Sequence, residues 1–279
     1  MKDIISASRR TDIPAFYLNW FIQRIREGFV EVQNPFYPQA VKRVLLDTEH
    51  VEWFVFWSRN YSHFLKKRAV FEGYQLFFHF TILSPSVLEK SSMLIKRQLR
   101  QLEELVKFYG AQRIVWRYDP LVFWQEGNTV QSNFNGREFE FLAREISQLG
   151  LKSCTTSVAT PYAKFQRRLR QKFPNVRLLD PSAAFVKSTV SSMVEIAEKH
   201  QIKIEACCSD FLLKIVGVQK AACINGHYLN RLTGKKKVSE ARAPSRAQCA
   251  CTRSIDIGDY RRQPCYFGCI YCYANPLWK

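Results

Sequence analysis

The sequence predicts an α/β fold on a parallel sheet, with a full or partial TIM-type β/α barrel as the leading form. Three observations carry that expectation. Short apolar runs alternate regularly with helix-period segments, six strand-then-helix units can be read along the chain, and 279 residues suit one large α/β domain, or one domain plus a small appendage. A doubly wound open sheet is the alternative.

The elements follow in order. Residues 4–8 open as a strand. Pro14 then starts an amphipathic stretch closed by Gly28. FVEVQNP and AVKRVLL read as a hairpin turning around Asn34-Pro35 and Pro38, and VEWFVFW as a buried strand with a short helix after it over 61–69. YQLFFHFTIL is a further strand. Pro85 marks the start of a long helix running to Phe108 and ending before Gly110. RIVWRY is a strand, Gly127-Asn128 a loop, and 137–150 a helix. SCTTSVA is a strand followed by the strongly basic helix YAKFQRRLRQKF. Residues 181–200 form a helix and IKIEACC the last clear strand. The basic segment from Arg231 to Gln248 reads as an exposed connector into a cysteine-rich tail. The expected division is a barrel-like domain over 1–206 and a cysteine-rich region over 207–279 packed on it.

Composition limits the function. A share of 47% hydrophobic residues fills a core, yet no window approaches a membrane span. MKDIISASRR is no signal peptide, which predicts a reducing, cytoplasmic setting. Forty-two Lys and Arg against 24 Asp and Glu give +18, a charge that attracts nucleic acid or another polyanion. Neither a dinucleotide-binding, a P-loop nor a nucleophile-elbow motif is present.

Ligand sites in parallel α/β folds form at the C-terminal ends of the strands. Three such ends carry costly polar groups: Arg9, Arg10 and Asp12 in SASRRTD, Arg59 in FWSRN, and Arg117 and Asp119 in VWRYDP. Buried arginine and aspartate need partners or a ligand, and arginine grips carboxylate or phosphate bidentately, so an anionic small molecule is a second class of partner. His79 in FFHFTIL reads as a satisfied core histidine rather than a ligand.

Eight of the nine cysteines lie after residue 200; Cys154, the exception, reads as a buried hydrophobe. An odd number in an unsecreted chain argues against a disulfide framework. Cys265, Cys269 and Cys272 form a C-x3-C-x2-C array. Three thiolates leave one position unfilled, which a 4Fe-4S cube tolerates. A zinc ion needs a fourth ligand, and Cys249 or Cys251 is at hand to supply it. Gly268 permits a tight turn, while Tyr271 and Tyr273 flank Cys272 as solvent shields.

CYFGCIYCYAN resembles the cluster loop of radical S-adenosylmethionine (SAM) enzymes, in a form similar to spore photoproduct lyase-like members. The resemblance implies that Cys265, Cys269 and Cys272 bind a 4Fe-4S cluster whose open iron chelates SAM. It further implies reduction of SAM to a 5′-deoxyadenosyl radical and an electron donor as partner; with that chemistry, the strand-end residues Arg9, Arg10, Asp12, Arg117 and Asp119 are expected to orient SAM or substrate, and Arg59 to bind the cofactor. In most radical SAM proteins this loop follows the first strand, so its position here implies a circularly permuted barrel. The whole chain also resembles the family called domain of unknown function 1848, through ISASRRTDIPAFY, FVFWSRN, RIVWRYDP, CSD, CING, CAC, SIDIG and GCIYCYAN.

Cys208, Cys223, Cys249 and Cys251 fall in three of those segments and make a second expected centre, either a fully ligated 4Fe-4S cluster or a structural zinc. The plain alternative is buried thiols, with Cys207 interchangeable with Cys208. Two rivals to the enzyme reading remain: a nucleic-acid-binding module with a structural metal, contacted through Lys164 to Lys172, and an electron-transfer iron–sulfur protein.

Overall fold

The computed structural model describes residues 1–37, 39–90, 93–180, 183–244 and 246–277. Pro38 of the expected hairpin and Pro181-Ser182 of the expected helix lie outside the described residues.

The chain opens with β1 (Asp3–Ser6), then a single π-helical turn at Ile13–Tyr17 that leads into α1 (Leu18–Glu27). Asp12 caps that turn by accepting from Ala15 N, and Gly28 closes α1 in the left-handed region. β2 (Phe29–Gln33) and β3 (Val41–Leu45) form the expected antiparallel hairpin. Next come β4 (Val51–Ser58), α2 (Ser62–Lys66), β5 (Gln75–Thr81), α3 (Ile95–Tyr109) and β6 (Ile114–Arg117). β7 (Phe123–Glu126) and β8 (Thr129–Ser132) pair around the Gly127-Asn128 turn, so the expected loop is a hairpin. Then α4 (Gly136–Gln148), β9 (Ser153–Thr156), α5 (Ala163–Lys172), β10 (Val176–Leu178), α6 (Ala184–Lys199), β11 (Lys203–Ala206), β12 (Val218–Lys220), α7 (Gly226–Thr233) and β13 (Ile255–Asp256) complete the chain.

Eight strands form one sheet in the order β12-β11-β9-β6-β5-β4-β1-β13, and every neighbouring pair is parallel. From β1 to β12 strands join in chain order, without the reversal of a doubly wound sheet. The last strand, β13, returns to pair with the first.

The pleat sorts side chains into two layers. On one face Ile5, Phe54, Phe56, Phe78, Phe80 and Trp116 pack with Phe21, Leu102, Phe139 and Met193 of the helices. Cys154 is fully buried there, apart from the other cysteines. On the opposite face Ile4, Trp53, Val55 and Phe77 pack against Cys223, Ile224, Leu229, Val238 and Cys251. The cysteine-rich tail, including α7, therefore covers the second face of the sheet and adds a strand at each edge.

Two expectations require correction. The helix assigned to begin at Pro85 begins at Ile95, because the preceding segment is held by tertiary contacts: Ile270 N donates to Leu88 O at 2.9 Å and Glu89 bridges Cys269. The segment from Arg231 to Gln248 is not a free connector. Val238 is fully buried and its neighbour Lys237 reaches Glu52 at 3.0 Å. No helix among the described residues is long and apolar enough to cross a membrane.

Candidate metal centres

The C-terminal ends of the parallel strands deliver most of the expected polar residues to one end of the sheet. β6 ends in Arg117, whose Nη1 donates to Cys223 Sγ at 3.1 Å while Nη2 pairs with Asp119 Oδ2 at 2.5 Å. Asp119 accepts a second hydrogen bond from Ser157 Oγ. After β1, Arg9 donates to Cys251 Sγ and to Asp256, each at 3.4 Å, with its guanidinium over the Trp57 ring. Burial opposes the charge on both arginines, yet the facing carboxylates and sulfurs outweigh it and hold both above their ordinary values.

These two arginines meet five thiols. Cys207 and Cys223 lie 3.2 Å apart, sulfur to sulfur. Side-chain interactions link the thiols in the order Cys208, Cys207, Cys223, Cys251, Cys249, and Cys249 lies near enough to act on the charge of Cys208. Hydrogen bonds from Cys207 and Cys251, followed by the Arg117 charge, push the Cys223 thiol well below its usual range. Cys207, expected only as an alternative to Cys208, joins the group with it, although adjacent residues on a strand end normally face opposite ways. Cys208 takes φ +51°, turning both thiols into the group.

Arg10 lies elsewhere, donating to Gln33 O at 2.9 Å and to Gly258 O at 3.3 Å. Asp12 is fully enclosed; it accepts from Ser58 Oγ at 2.7 Å, Ala15 N at 3.0 Å and Arg59 N at 3.1 Å. Burial raises its carboxyl to about 6, against the pull of those donors. His79 donates from Nε2 to Cys223 O at 2.7 Å and stacks on Trp57 with centroids 4.6 Å apart. Burial pushes the imidazole down to about 3, so it is neutral, and Nδ1 has no partner.

The terminal loop is a second, separate construction. Cys265 N donates to Asn275 O at 3.2 Å and Leu277 N returns to Cys265 O at 2.8 Å, closing the loop on itself. Gly268 sits at φ +62°, where an added Cβ would stand 2.7 Å from the Lys90 Cβ. Ile270 and Tyr271 pack with Leu88, Trp124, Phe165 and Leu169. Arg168 of α5 donates to the carbonyls of Ile270 and Cys272. Arg59, after β4, donates to Cys269 Sγ at 3.3 Å and pairs with Glu89 at 2.6 Å, and Tyr271 donates to the same carboxylate. Sequence reading missed Glu89, because an acid in the first turn of an assumed helix looks like a solvated one. Burial raises all three thiols, Cys269 to about 12 with the Arg59 charge pulling against it.

The donor set of this loop fits an iron–sulfur cluster. Three half-buried thiols stand on one closed loop, an arginine donates to one sulfur, and buried Arg59 Nε lacks a partner. A zinc tetrahedron with metal–sulfur bonds of about 2.3 Å would need sulfurs about 3.8 Å apart in a closed set of four. Among the described residues no three or more His, Cys, Asp or Glu side chains converge on such a single-ion geometry. A cube assigns each thiolate its own iron and spreads the sulfurs.

Beside the loop opens a cleft of about 560 Å³. Arg10, Lys164 and Arg261 line it with Asp256, Tyr260 and Tyr273, the neighbour of Cys272. Tyr273 also donates to Arg9 O at 2.6 Å, which joins the terminal loop to the strand end that carries the five-thiol group.

Fold and site together define an α/β protein with an all-parallel sheet and two groups of cysteines at its C-terminal edge. The model of one family, domain of unknown function (DUF1848), matches residues 4–274, and the chain belongs to that family. A comparison with curated proteins finds no match.

Proposed function

We propose that the protein is an iron–sulfur enzyme of radical SAM type. In this reading Cys265, Cys269 and Cys272 hold a 4Fe-4S cluster with one open iron, and the sheet curls toward a permuted barrel with β13 beside β1. The observation that carries the reading is the terminal loop itself: three half-buried thiols, closed by its own backbone bonds and docked at the strand ends beside a polar cleft. Bound there, such a cluster supplies an electron for reductive cleavage of SAM, with a separate one-electron donor as partner.

The protein's own residues have distinct tasks. Arg59 donates to Cys269 Sγ and is itself neutralised by Glu89, so the sulfur gains a hydrogen bond without a bare charge nearby. Arg168 and Tyr271 fix the loop's position. Arg10, Lys164 and Arg261 give the cleft cations suited to a carboxylate or phosphate, while Asp256 and Asp259 suit an amine or hydroxyls. The substrate is therefore read as anionic, and exposed Arg167 and Arg170 on the same helix as Lys164 extend that surface toward a nucleic acid.

The test is product analysis. Anaerobically reconstituted protein given reductant and SAM should release 5′-deoxyadenosine. No release from protein with full cluster occupancy would leave an electron-transfer role in place of the enzyme.

A further inference from the structure

Five thiols gathered against the sheet, Cys223 and Cys251 of them buried, have no part in the terminal loop, and three features of their surroundings point to a guest. Two arginines turn N–H groups onto sulfur, Arg117 to Cys223 at 3.1 Å and Arg9 to Cys251 at 3.4 Å. A backbone amide does the same, Ile224 N to Cys251 Sγ at 3.4 Å. Cations and an amide directed at two of the sulfurs are what anionic thiolates require once they leave water. Cys208 holds a left-handed backbone at φ +51°, a conformation disfavoured in a residue with a Cβ that persists only when its surroundings enforce it. His79 Nδ1, next to Cys223 through the ring's other nitrogen, is buried without a partner.

We infer that this group binds a second, fully thiolate-ligated 4Fe-4S cluster through Cys208, Cys223, Cys249 and Cys251. Cys207 is the thiol left over. Its sulfur lies 3.2 Å from that of Cys223, too near for the two to hold separate corners of a cube. Cys208 and Cys249 stand at the two ends of the linked series, and Cys249 lies near enough to act on the charge of Cys208, so the four proposed ligands form one group. Four thiolates also set this centre apart from the terminal loop: no iron is left open, so it carries charge or tethers the tail and does not bind SAM. Its position fits both tasks. The thiols come from the ends of β11 and β12 and from the segment before β13, so a shared guest would pin both edges of the sheet. Arg9 connects it to Tyr273 of the terminal loop.

Native mass spectrometry under anaerobic conditions counts the clusters, with iron and sulfide assays on the same samples. Wild type should carry two clusters. The C265A/C269A/C272A variant should keep one, with iron halved, and adding C223A should remove the rest. C207A should keep both. A wild-type cluster that is lost in full from the folded C265A/C269A/C272A variant overturns the inference, as does zinc or no metal in that variant. Loss of a cluster from C207A overturns the ligand assignment. The two centres fail separately: iron retained at the five-thiol group but absent from the terminal loop removes the proposed SAM chemistry and leaves this inference standing.

Discussion

Arg117 Nη1 donates to Cys223 Sγ at 3.1 Å while its Nη2 pairs with Asp119 at 2.5 Å, so one guanidinium ties β6 to a cysteine more than a hundred residues later. Truncating a buried partner leaves the other charge uncompensated, which costs about 3 kcal/mol or more. Arg117→Met should lower stability by that amount in urea titration of metal-free protein. Adding Asp119→Asn should recover part of the loss, since it removes the stranded carboxylate. Additive losses would show that Arg117 and Asp119 do not act as a pair.

Glu89 is reached by two donors, Arg59 and the Tyr271 hydroxyl. Tyr271→Phe removes one donor from a buried carboxylate, at a cost of about 1–3 kcal/mol. Because Tyr271 belongs to the cysteine loop, the variant should also be cleaved faster by protease near the C-terminus. Unchanged cleavage would show that the loop is held without this bond.

Asp12 gives a pH signature. Burial raises its carboxyl from 3.8 to about 6 in the folded protein, so the folded state holds the proton more tightly than the unfolded chain. Its contribution is full below about pH 4 and is lost as pH rises through 6, a change of about 3 kcal/mol. The stability difference between wild type and Asp12→Asn, measured by denaturant unfolding from pH 4 to 8, should shift in favour of the variant as pH rises. A difference independent of pH rejects this account.

Gly226, in the segment CING, packs so closely that an added Cβ would lie 2.2 Å from the Ser239 carbonyl oxygen. That neighbour is backbone and cannot rotate away. Gly226→Ala should cost about 1–3 kcal/mol and weaken metal retention by the adjacent cysteines, visible as faster iron loss to a chelator. Retention equal to wild type would separate this packing from the centre.

Salt dependence tests the basic helix. Arg167 and Arg170 are exposed, whereas Arg168 is committed to the terminal loop. If nucleic acid binds here, Arg167→Ala/Arg170→Ala should reduce the slope of log affinity against log salt by about 2. Arg168→Ala should act mainly on loop stability instead. An unchanged slope in the double variant moves the polyanion contact elsewhere.

Much of this organisation was legible in the sequence, and the gaps have physical causes. Continuous apolar runs such as VEWFVFW and YQLFFHF announced buried parallel strands, because a strand covered on both faces has no polar side. Clustering of cysteines after residue 200 announced that the tail gathers thiols, though not which of them meet. β12 and β13 were invisible: three and two residues at the sheet edges carry too little pattern to stand out. Pro85 is a good first-turn residue for a helix, but docking of Leu88 onto Ile270 decided the segment instead. Arg168 looked like a free cation in a basic run, and only the fold shows that backbone carbonyls occupy it. Arg10, Lys164 and Tyr260 meet in one cleft from distant parts of the chain, a convergence that sequence spacing does not encode.

The central claim, that the terminal loop carries a cluster with an open iron, is tested most directly by electron paramagnetic resonance of the reduced protein during titration with SAM. C223A, still holding the terminal cysteines, isolates the signal of that loop. The account predicts a cluster spectrum that shifts on adding SAM and is absent when Cys269→Ala is combined with C223A. A fully occupied terminal cluster whose spectrum does not respond to SAM would contradict it.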